Sequence, residues 1–445
     1  MLGWLLVTAW HWPLAFSFWD EVGYVGEAKL LLAGRLLPGP EDVGFWVPTP
    51  DGLVPKYPVF GSLLLAPLLA LTPKAVFALG MLSALALCWM AARVLRSWGT
   101  GSVWALLILA YPTTVIVSRT AMLDVPVTAF LFAAWLSLRA GQPIRAAPFI
   151  IALCLVKPTG VVLGGLLIGG HLLGTIRILR RGDFRTRVRA GIPLAALFVG
   201  LGLTLASNKL STGHLWFAYD HSTLRDGRAF GLWYLPHVAP VHLRSLFLFP
   251  PLLIAGAWPY VRRREFGPLA VVFGFSGLMC IYYYVDFAPT LIESLVLAPR
   301  LLLPVIAFLL VGYAQLLADL FAKRKMLARV VPPVLAAGTI LMAFVISDRH
   351  QRFQAPMGAA LAAAQQIAGQ LGTADLATLP QTMKVGLMFP GTTRLVRPDH
   401  VSGQVVLCSD RSGSHRGADG PYSCDFPKYR ARYHADGFQI LTPLP

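Results

Sequence analysis

Long apolar runs separated by short polar gaps make up most of this chain, and the runs approach the thickness of a bilayer. A helix needs about 20 mainly apolar residues to cross the hydrocarbon core. Runs near that length fall at roughly 2–18, 74–94, 102–118, 125–139, 146–157, 158–177, 190–207, 243–260, 267–285, 300–320 and 330–347, which predicts about eleven transmembrane helices. Val59 to Leu71 is shorter and bounded by prolines, so it is expected to be a half-inserted or interfacial helix on the outer face. The first run has no basic n-region and no A-x-A cleavage site, and reads as a retained span. Beyond residue 348 the pattern changes, with Gly, Ser, Asp and Arg replacing the apolar runs. Residues 356–371 look helical, and Lys384 to Phe389, Gly403 to Ser409 and Phe438 to Leu441 look like short strands. A membrane domain over 1–348 is therefore expected, followed by a small soluble α/β domain over 349–445.

Composition agrees. Of 445 residues, 56% are hydrophobic and 13% charged, and the mean hydropathy is +0.63, more apolar surface than one water-soluble core can hide. The 38 Lys and Arg against 21 Asp and Glu give +17. No contiguous basic tail exists, so nucleic acid is not an expected partner, and the excess is better read as topology. The gaps Arg93 to Arg96, Arg139 to Arg145, Arg177 to Arg189, Arg262 to Arg264 and Lys323 to Arg329 hold 17 of those 38 cations and few acids. They should be cytoplasmic, with the N-terminus. The gaps Trp19 to Pro58, Ser118 to Asp124, the surroundings of Lys157, Asn208 to His242 and Asp286 to Pro299 carry most carboxylates and aromatics and should face outward with the C-terminal domain. Five cysteines exclude a disulfide-dense scaffold, and none has zinc-ligand spacing. Cys408 and Cys424 alone lie in a polar stretch, where an outside location permits a disulfide. There is no fixed-period repeat, which weighs against inverted-repeat transporters.

The ionisable residues near span ends gather on the outer side. Asp20 and Glu21 follow the first span, Lys56, Tyr57 and Pro58 close the first loop, Arg119 and Asp124 frame a span junction, and Arg300 opens a late span. Each has a plain explanation: a solvated helix end, a snorkelling cation, an Asp124–Arg119 pair. Tyr282 to Tyr284, Trp216 and Trp233 read as an aromatic belt. Lys157 has apolar flanks and requires a partner or an anion. Taken together, two separated carboxylates and several cations are what a hydroxyl needs to attack a sugar carried on a lipid phosphate. A carboxylate takes the hydroxyl proton and another stabilises oxocarbenium character. Cations neutralise the departing phosphate without a metal.

The ordered segments WDE, KYP before a short apolar helix, RTAMLDVP, LVKPTG, GLWYLP and APRLLLP resemble the GT-C superfamily of integral-membrane glycosyltransferases. Within it they are most similar to the branch of protein O-mannosyltransferases and lipid A aminoarabinose transferases, over residues 1 to about 320. The resemblance implies a GT-C-like polytopic α-helical membrane protein with a C-terminal extracytoplasmic α/β domain, in the bacterial cytoplasmic membrane. It implies a polyprenyl-phosphate-linked monosaccharide donor and inverting transfer to a hydroxyl on a lipid, glycan or protein at the outer face. Asp20 matches the catalytic base and Glu21 completes its pair; Asp124 matches the second carboxylate. Lys56 matches the lysine of a KPP-type motif, here KYP, and Lys157 that of a TKGP-like segment, here KPTG. With Arg300 they are expected to face the donor phosphate, and Tyr57, Tyr219, Tyr234 and Arg119 to line the donor or acceptor pocket. No cofactor is expected. His214, His221, His237 and His242 raise a divalent metal, as in oligosaccharyltransferases, but lack i,i+4 spacing, and the WWD-type motif of those enzymes is not visible. A secondary transporter or flippase would instead place its charges near mid-membrane in two corresponding halves. A non-catalytic scaffold would leave Asp20 far from Lys157.

Overall fold

The computed structural model describes residues 1–445 except 50–51, 182, 214, 216–227, 249, 285–295, 323, 397–403, 410–423, 425, 427 and 445. Among the described residues five helices are by themselves long and apolar enough to cross a bilayer: Pro73–Ser97, Pro158–Ile176, Phe184–Thr212, Ala298–Ala322 and Arg329–Gln370. The bent pair Leu232–Leu248 and Leu253–Arg263 makes a sixth if counted as one span. The chain is a polytopic α-helical membrane protein, but several of the eleven expected spans are not single straight helices. Proline marks the breaks in the first and third runs. In the run 2–18, α1 (Leu2–Trp10) stops before Trp12 and Pro13 and the rest is not helical. In the run 102–118, Pro112 separates α5 (Leu106–Ala110) from α6 (Pro112–Ser118).

The segment expected to be an outer loop, Trp19 to Pro58, contains a helix, α2 (Trp19–Leu32), and a hairpin of β1 (Trp46–Thr49) and β2 (Gly52–Pro55). It leads into α3 (Val59–Leu71), which falls where the short apolar run predicts a helix and packs on α2. The bundle continues through α4 (Phe77–Ser97), α7 (Asp124–Arg139), α8 (Pro143–Val156), α9 (Pro158–Arg181), α10 (Phe184–Thr212), α11 (Leu235–Leu248) and α12 (Trp258–Arg263). Next come α13 (Phe266–Ala270) and α14 (Ser276–Cys280), linked by a π-turn, and then α15 (Leu303–Ala322). Helix α15 is central, with every residue from Leu303 to Gly312 buried. Phe308 stacks on Phe132 of α7 at 4.5 Å between ring centroids and accepts the Tyr260 hydroxyl bond at its carbonyl, 2.8 Å.

Helix α7 separates two chemically different ends. At its C-terminus Arg139 pairs with Glu265 at 3.1 Å and donates to Ser97 Oγ at 2.5 Å, while Arg263 covers Trp98. Three of the basic gaps therefore meet at one end of the bundle. Asp124 begins the same 16-residue helix, about 24 Å away at 1.5 Å per residue.

A single helix, α16 (Lys325–Gln370), carries both the expected last span and the expected helix at 356–371, so the predicted domain break after 348 falls within one continuous helix. It leads to a five-stranded sheet of order β4–β3–β5–β7–β6, built from β3 (Asp375–Thr378), β4 (Thr392–Leu395), β5 (Val406–Ser409), β6 (Tyr429–Ala435) and β7 (Phe438–Pro443). β3 is parallel to β4 and β5, and β7 antiparallel to β5 and β6. The expected strand at Lys384 to Phe389 is instead a short helix, α17 (Met383–Gly386), with a turn at Leu387 and Met388. All five positions from Val385 to Phe389 are buried, a run with none of the alternation of a half-exposed strand. Gly403 lies outside the described residues.

The domain rests on the chain around α2: Lys384 Nζ donates to the carbonyl of Ser17, just before that helix, at 2.7 Å, and Leu395 N–H to the Glu41 carbonyl at 2.7 Å. Cys408 and Cys424 are joined by a disulfide, Cα to Cα 5.9 Å, closing a separation of 16 residues. A loop of that size contributes about 3 kcal/mol through the unfolded chain. Cys408→Ser is therefore expected to lower the protection of the sheet domain by about that amount, read as faster limited proteolysis of full-length protein in detergent; unchanged protection would show that the crosslink does not constrain the domain.

Candidate active site

Five chain segments bring their charges to the Asp124 end. Asp20 sits in the first turn of α2, Lys56 and Tyr57 follow β2, Asp124 opens α7, Lys157 joins α8 to α9, and Arg300 lies in the 3-10 turn Ala298–Leu302 ahead of α15. Local rules account for these placements. Carboxylates in first helical turns face the positive end of the helix dipole. Lys157 precedes Pro158, which disfavours helical backbone; it is extended at φ −152°, ψ 142°, and its side chain leaves the helix line.

Two ion pairs result. Arg300 Nη1 donates to Asp20 Oδ2 at 3.0 Å, and Lys157 Nζ to Asp124 Oδ1 at 2.6 Å. Arg300 is 2% exposed and Asp20 25%, so the carboxylate reaches solvent and the guanidinium does not. Asp20 Oδ1 accepts the Tyr57 hydroxyl bond at 2.5 Å, and Lys56 Nζ lies 4.0 Å from the Phe45 ring centroid and 5.4 Å from that of Tyr57. Burial raises the Asp20 pKa, but Arg300, Lys56, the Tyr57 hydrogen bond and Lys157 outweigh it and hold the group at about 2. Its ionisation contributes stability that is complete above the ordinary value of 3.8 and is lost as pH falls through about 2.

Tyr24, not singled out in the sequence, completes the group. It lies one turn after Asp20 on α2 and stacks on Tyr57 with centroids 4.2 Å apart. The stack needs Gly23, because a Cβ there would stand 2.7 Å from the Tyr57 ring. Gly61 has a similar task, since a Cβ would meet Leu123 at 2.5 Å and the Val156 carbonyl at 2.7 Å; α3 thereby closes on the junctions that carry Asp124 and Lys157. The Tyr24 hydroxyl and Asp124 Oδ2 are buried and have no hydrogen-bond partner among the described residues. Such atoms are costly unless something polar binds them.

Glu21, Arg119 and Tyr234 bond to the backbone instead. Glu21 is fully buried, and its oxygens accept the N–H groups of Ser17 at 2.6 Å, Phe18 at 2.7 Å and Ala121 at 2.7 Å. Burial pushes its pKa up to about 7 against those three bonds. Glu21 closes the capping box of α2 and ties it to the turn before Asp124. Arg119 does not pair with Asp124; it is buried between α1 and α16 and donates to the carbonyls of Thr8 at 3.2 Å, His11 and Ser347 at 3.5 Å. Tyr234 donates to the Arg228 carbonyl at 3.0 Å and packs on Val238, Val241 and Ala298, two residues from Arg300. Tyr219, His214 and His221 lie outside the described residues. Among those described, no three His, Cys, Asp or Glu side chains converge as a metal site would require. Lys384, from the sheet domain, was also missed; its charge acts on both Glu21 and Asp20, and nothing in the linear chain links it to them.

No protein-family model matches the chain, and no curated protein matches its sequence. Its structure does have counterparts. ArnT from Cupriavidus metallidurans, in a crystal structure bound to undecaprenyl phosphate, aligns at a TM-score of 0.63 and 13% identity, over 98% of this chain and 96% of that one. The apo crystal structure of the same enzyme aligns at 0.61 and 14% over the same shares. The chain has the GT-C fold. The match extends beyond the 320 residues that carry the motif resemblance and takes in the C-terminal sheet domain.

Two substitutions separate the roles. Glu21→Gln places an amide against backbone N–H donors and should cost about 1–3 kcal/mol, measured by thermal unfolding in detergent. Arg300→Gln leaves the burial of Asp20 less opposed, so the carboxyl should titrate well above about 2; infrared titration of isotope-labelled aspartate would read this, and an unmoved band would contradict the assigned pair.

Proposed function

We propose that the protein is a glycosyltransferase that moves a monosaccharide from a polyprenyl-phosphate carrier to a hydroxyl of a lipid, glycan or protein. The membrane would be the bacterial cytoplasmic membrane, with the Asp20 centre and the C-terminal domain on the outer side and the Arg139 end in the cytoplasm. The observation that carries this reading is the pair of carboxylates, Asp20 and Asp124, each held against a cation from a different chain segment at one end of the bundle. The fold shared with an enzyme crystallised with undecaprenyl phosphate supports the carrier. Asp20 and Lys157 are near enough for the lysine charge to act on the carboxylate, which favours one catalytic centre over a scaffold.

In the proposed reaction the acceptor oxygen attacks the anomeric carbon as the bond from that carbon to the phosphate oxygen breaks. The acceptor proton passes to Asp20, and the electron pair of the broken bond leaves on the polyprenyl phosphate. Attack opposite the leaving group inverts the anomeric centre. Asp20 is the accessible carboxylate and has Tyr57 to orient it; Asp124 steadies the positive sugar and places Lys157. Arg300, Lys157 and Lys56 neutralise the phosphate. As the phosphate draws Arg300 and Lys157 toward itself, Asp20 loses the charges that depress its pKa and becomes a stronger base. Glu21 and Arg119 act by positioning the segments.

The test is transfer of labelled sugar from a purified polyprenyl-phosphate donor by protein in lipid nanodiscs. Asp20→Asn should lower kcat by about 10²-fold or more with its fold intact; full retention would remove Asp20 from the base role. Chelation of divalent cations should leave the wild-type rate unchanged, and its loss on chelation would overturn charge neutralisation by Lys and Arg alone.

A further inference from the structure

A second cationic site lies on the far side of α2. Nine residues separate Lys29 from Asp20, about 14 Å along the helix. Between them in the chain Glu27 is buried and accepts a 2.6 Å hydrogen bond from Ser62 of α3. Lys29 lines a separate cleft of about 420 Å³, within the range of ligand sites. Its walls come from α2, the loop that follows it with Arg35, Asp42 and Val43, the end of α3 with Pro73 beyond it, and the segment 387–393 of the C-terminal domain.

The lining is divided by character. Leu30, Leu69 and Phe389 form an apolar wall, and Lys29 and Arg35 supply positive charge. Arg35 is neutralised by Asp42 through two bonds, at 2.7 and 2.9 Å. Lys29 is not: among the described residues it has neither hydrogen-bond nor ion-pair partner. Burial lowers its pKa to about 8, with no compensating contact. The edge of the cleft is unusually apolar for a segment outside the bundle. Leu32 in its lining is exposed, and so are Leu36 and Leu37 beyond Arg35 and Leu71 at the end of α3. Exposed leucines beside an interfacial helix belong at the level of lipid head groups and upper acyl chains.

We propose that this cleft holds the anionic head group of a membrane lipid, with Lys29 as counter-cation and the flanking leucines against the lipid's upper acyl carbons. A soluble anion would use Lys29 but not the leucines, and a neutral lipid would leave the lysine unsatisfied. The amphiphile uses both. Since one wall belongs to the C-terminal domain, an occupied cleft joins lipid, α2 and that domain, and holds the domain down on the helix that carries Asp20. The site is independent of the transfer reaction and can be read without a sugar donor.

The experiment is native mass spectrometry of the full-length protein titrated with phosphatidylglycerol or with phosphatidylcholine of the same acyl chains. Wild type should retain phosphatidylglycerol about tenfold more tightly at its strongest site, the scale of one charge-assisted bond. Lys29→Gln should abolish that preference, and Lys29→Arg should keep it. Arg352→Gln, at an exposed position on α16, should leave it unchanged and so control for non-specific charge. An unaltered preference in Lys29→Gln overturns the proposal. So does displacement of phosphatidylglycerol by glycerol phosphate at equal concentration, which would make this a soluble-anion site.

Discussion

Arg300 is a guanidinium almost without solvent contact, and such a group has to find negative charge inside the protein or be expelled. It finds Asp20, 280 residues earlier in the chain. That requirement fixes much of the rest. The turn ahead of α15 must reach the N-terminus of α2, and α2 must be held at the Asp124 end of the bundle. The 3.0 Å pair then sits beside the second pair, Asp124 with Lys157, which ties the start of α7 to the α8–α9 junction. Breaking either pair would strand a buried charge, so the site geometry and the packing of this end of the bundle are one constraint.

Several further charges are consumed in holding that geometry. Glu21 gives both oxygens to backbone N–H groups, and Arg119 gives its guanidinium to backbone carbonyls on α1 and α16. Both oxygens of Glu21 and both terminal nitrogens of Arg119 are thereby taken up by the backbone. The contrast with Asp20 and Asp124 is physical: Asp20 reaches solvent, and Asp124 keeps a buried oxygen without a partner among the described residues. Adjacent residues in the sequence, Asp20 and Glu21, thus differ entirely in what they can do.

This difference marks how far the sequence could be read. Asp20, Asp124, Lys157 and Arg300 stood out because each interrupts apolar surroundings on one side of the membrane, and all four meet. The break at Lys157 was legible in the division of the apolar runs at 157 and 158, because Pro158 disfavours helical backbone at the residue before it. Helix α2 was not, since glycines at 23 and 26 weaken its helical signal and its role depends on Tyr57, 37 residues from Asp20. The backbone partners of Glu21 and Arg119 were not legible, because hydropathy locates a charge without telling whether a ligand or the backbone satisfies it. Apolar runs that are continuous in composition are split into shorter helices where proline interrupts them, as at Pro112, which hydropathy alone does not reveal. The domain boundary was drawn where polarity changes, whereas α16 carries the change through one unbroken helix.

The proposed chemistry stands on one claim, that the cations at this end of the bundle receive a lipid phosphate. The most direct measurement is phosphorus NMR of a polyprenyl phosphate titrated with pH in nanodiscs containing wild-type protein, Lys157→Met or Arg300→Met. Free phosphate monoesters lose their second proton near pH 6. Bound to wild-type protein the phosphate should titrate at distinctly lower pH, and each substitution should return it toward the free value. A titration identical with and without protein would contradict the claim.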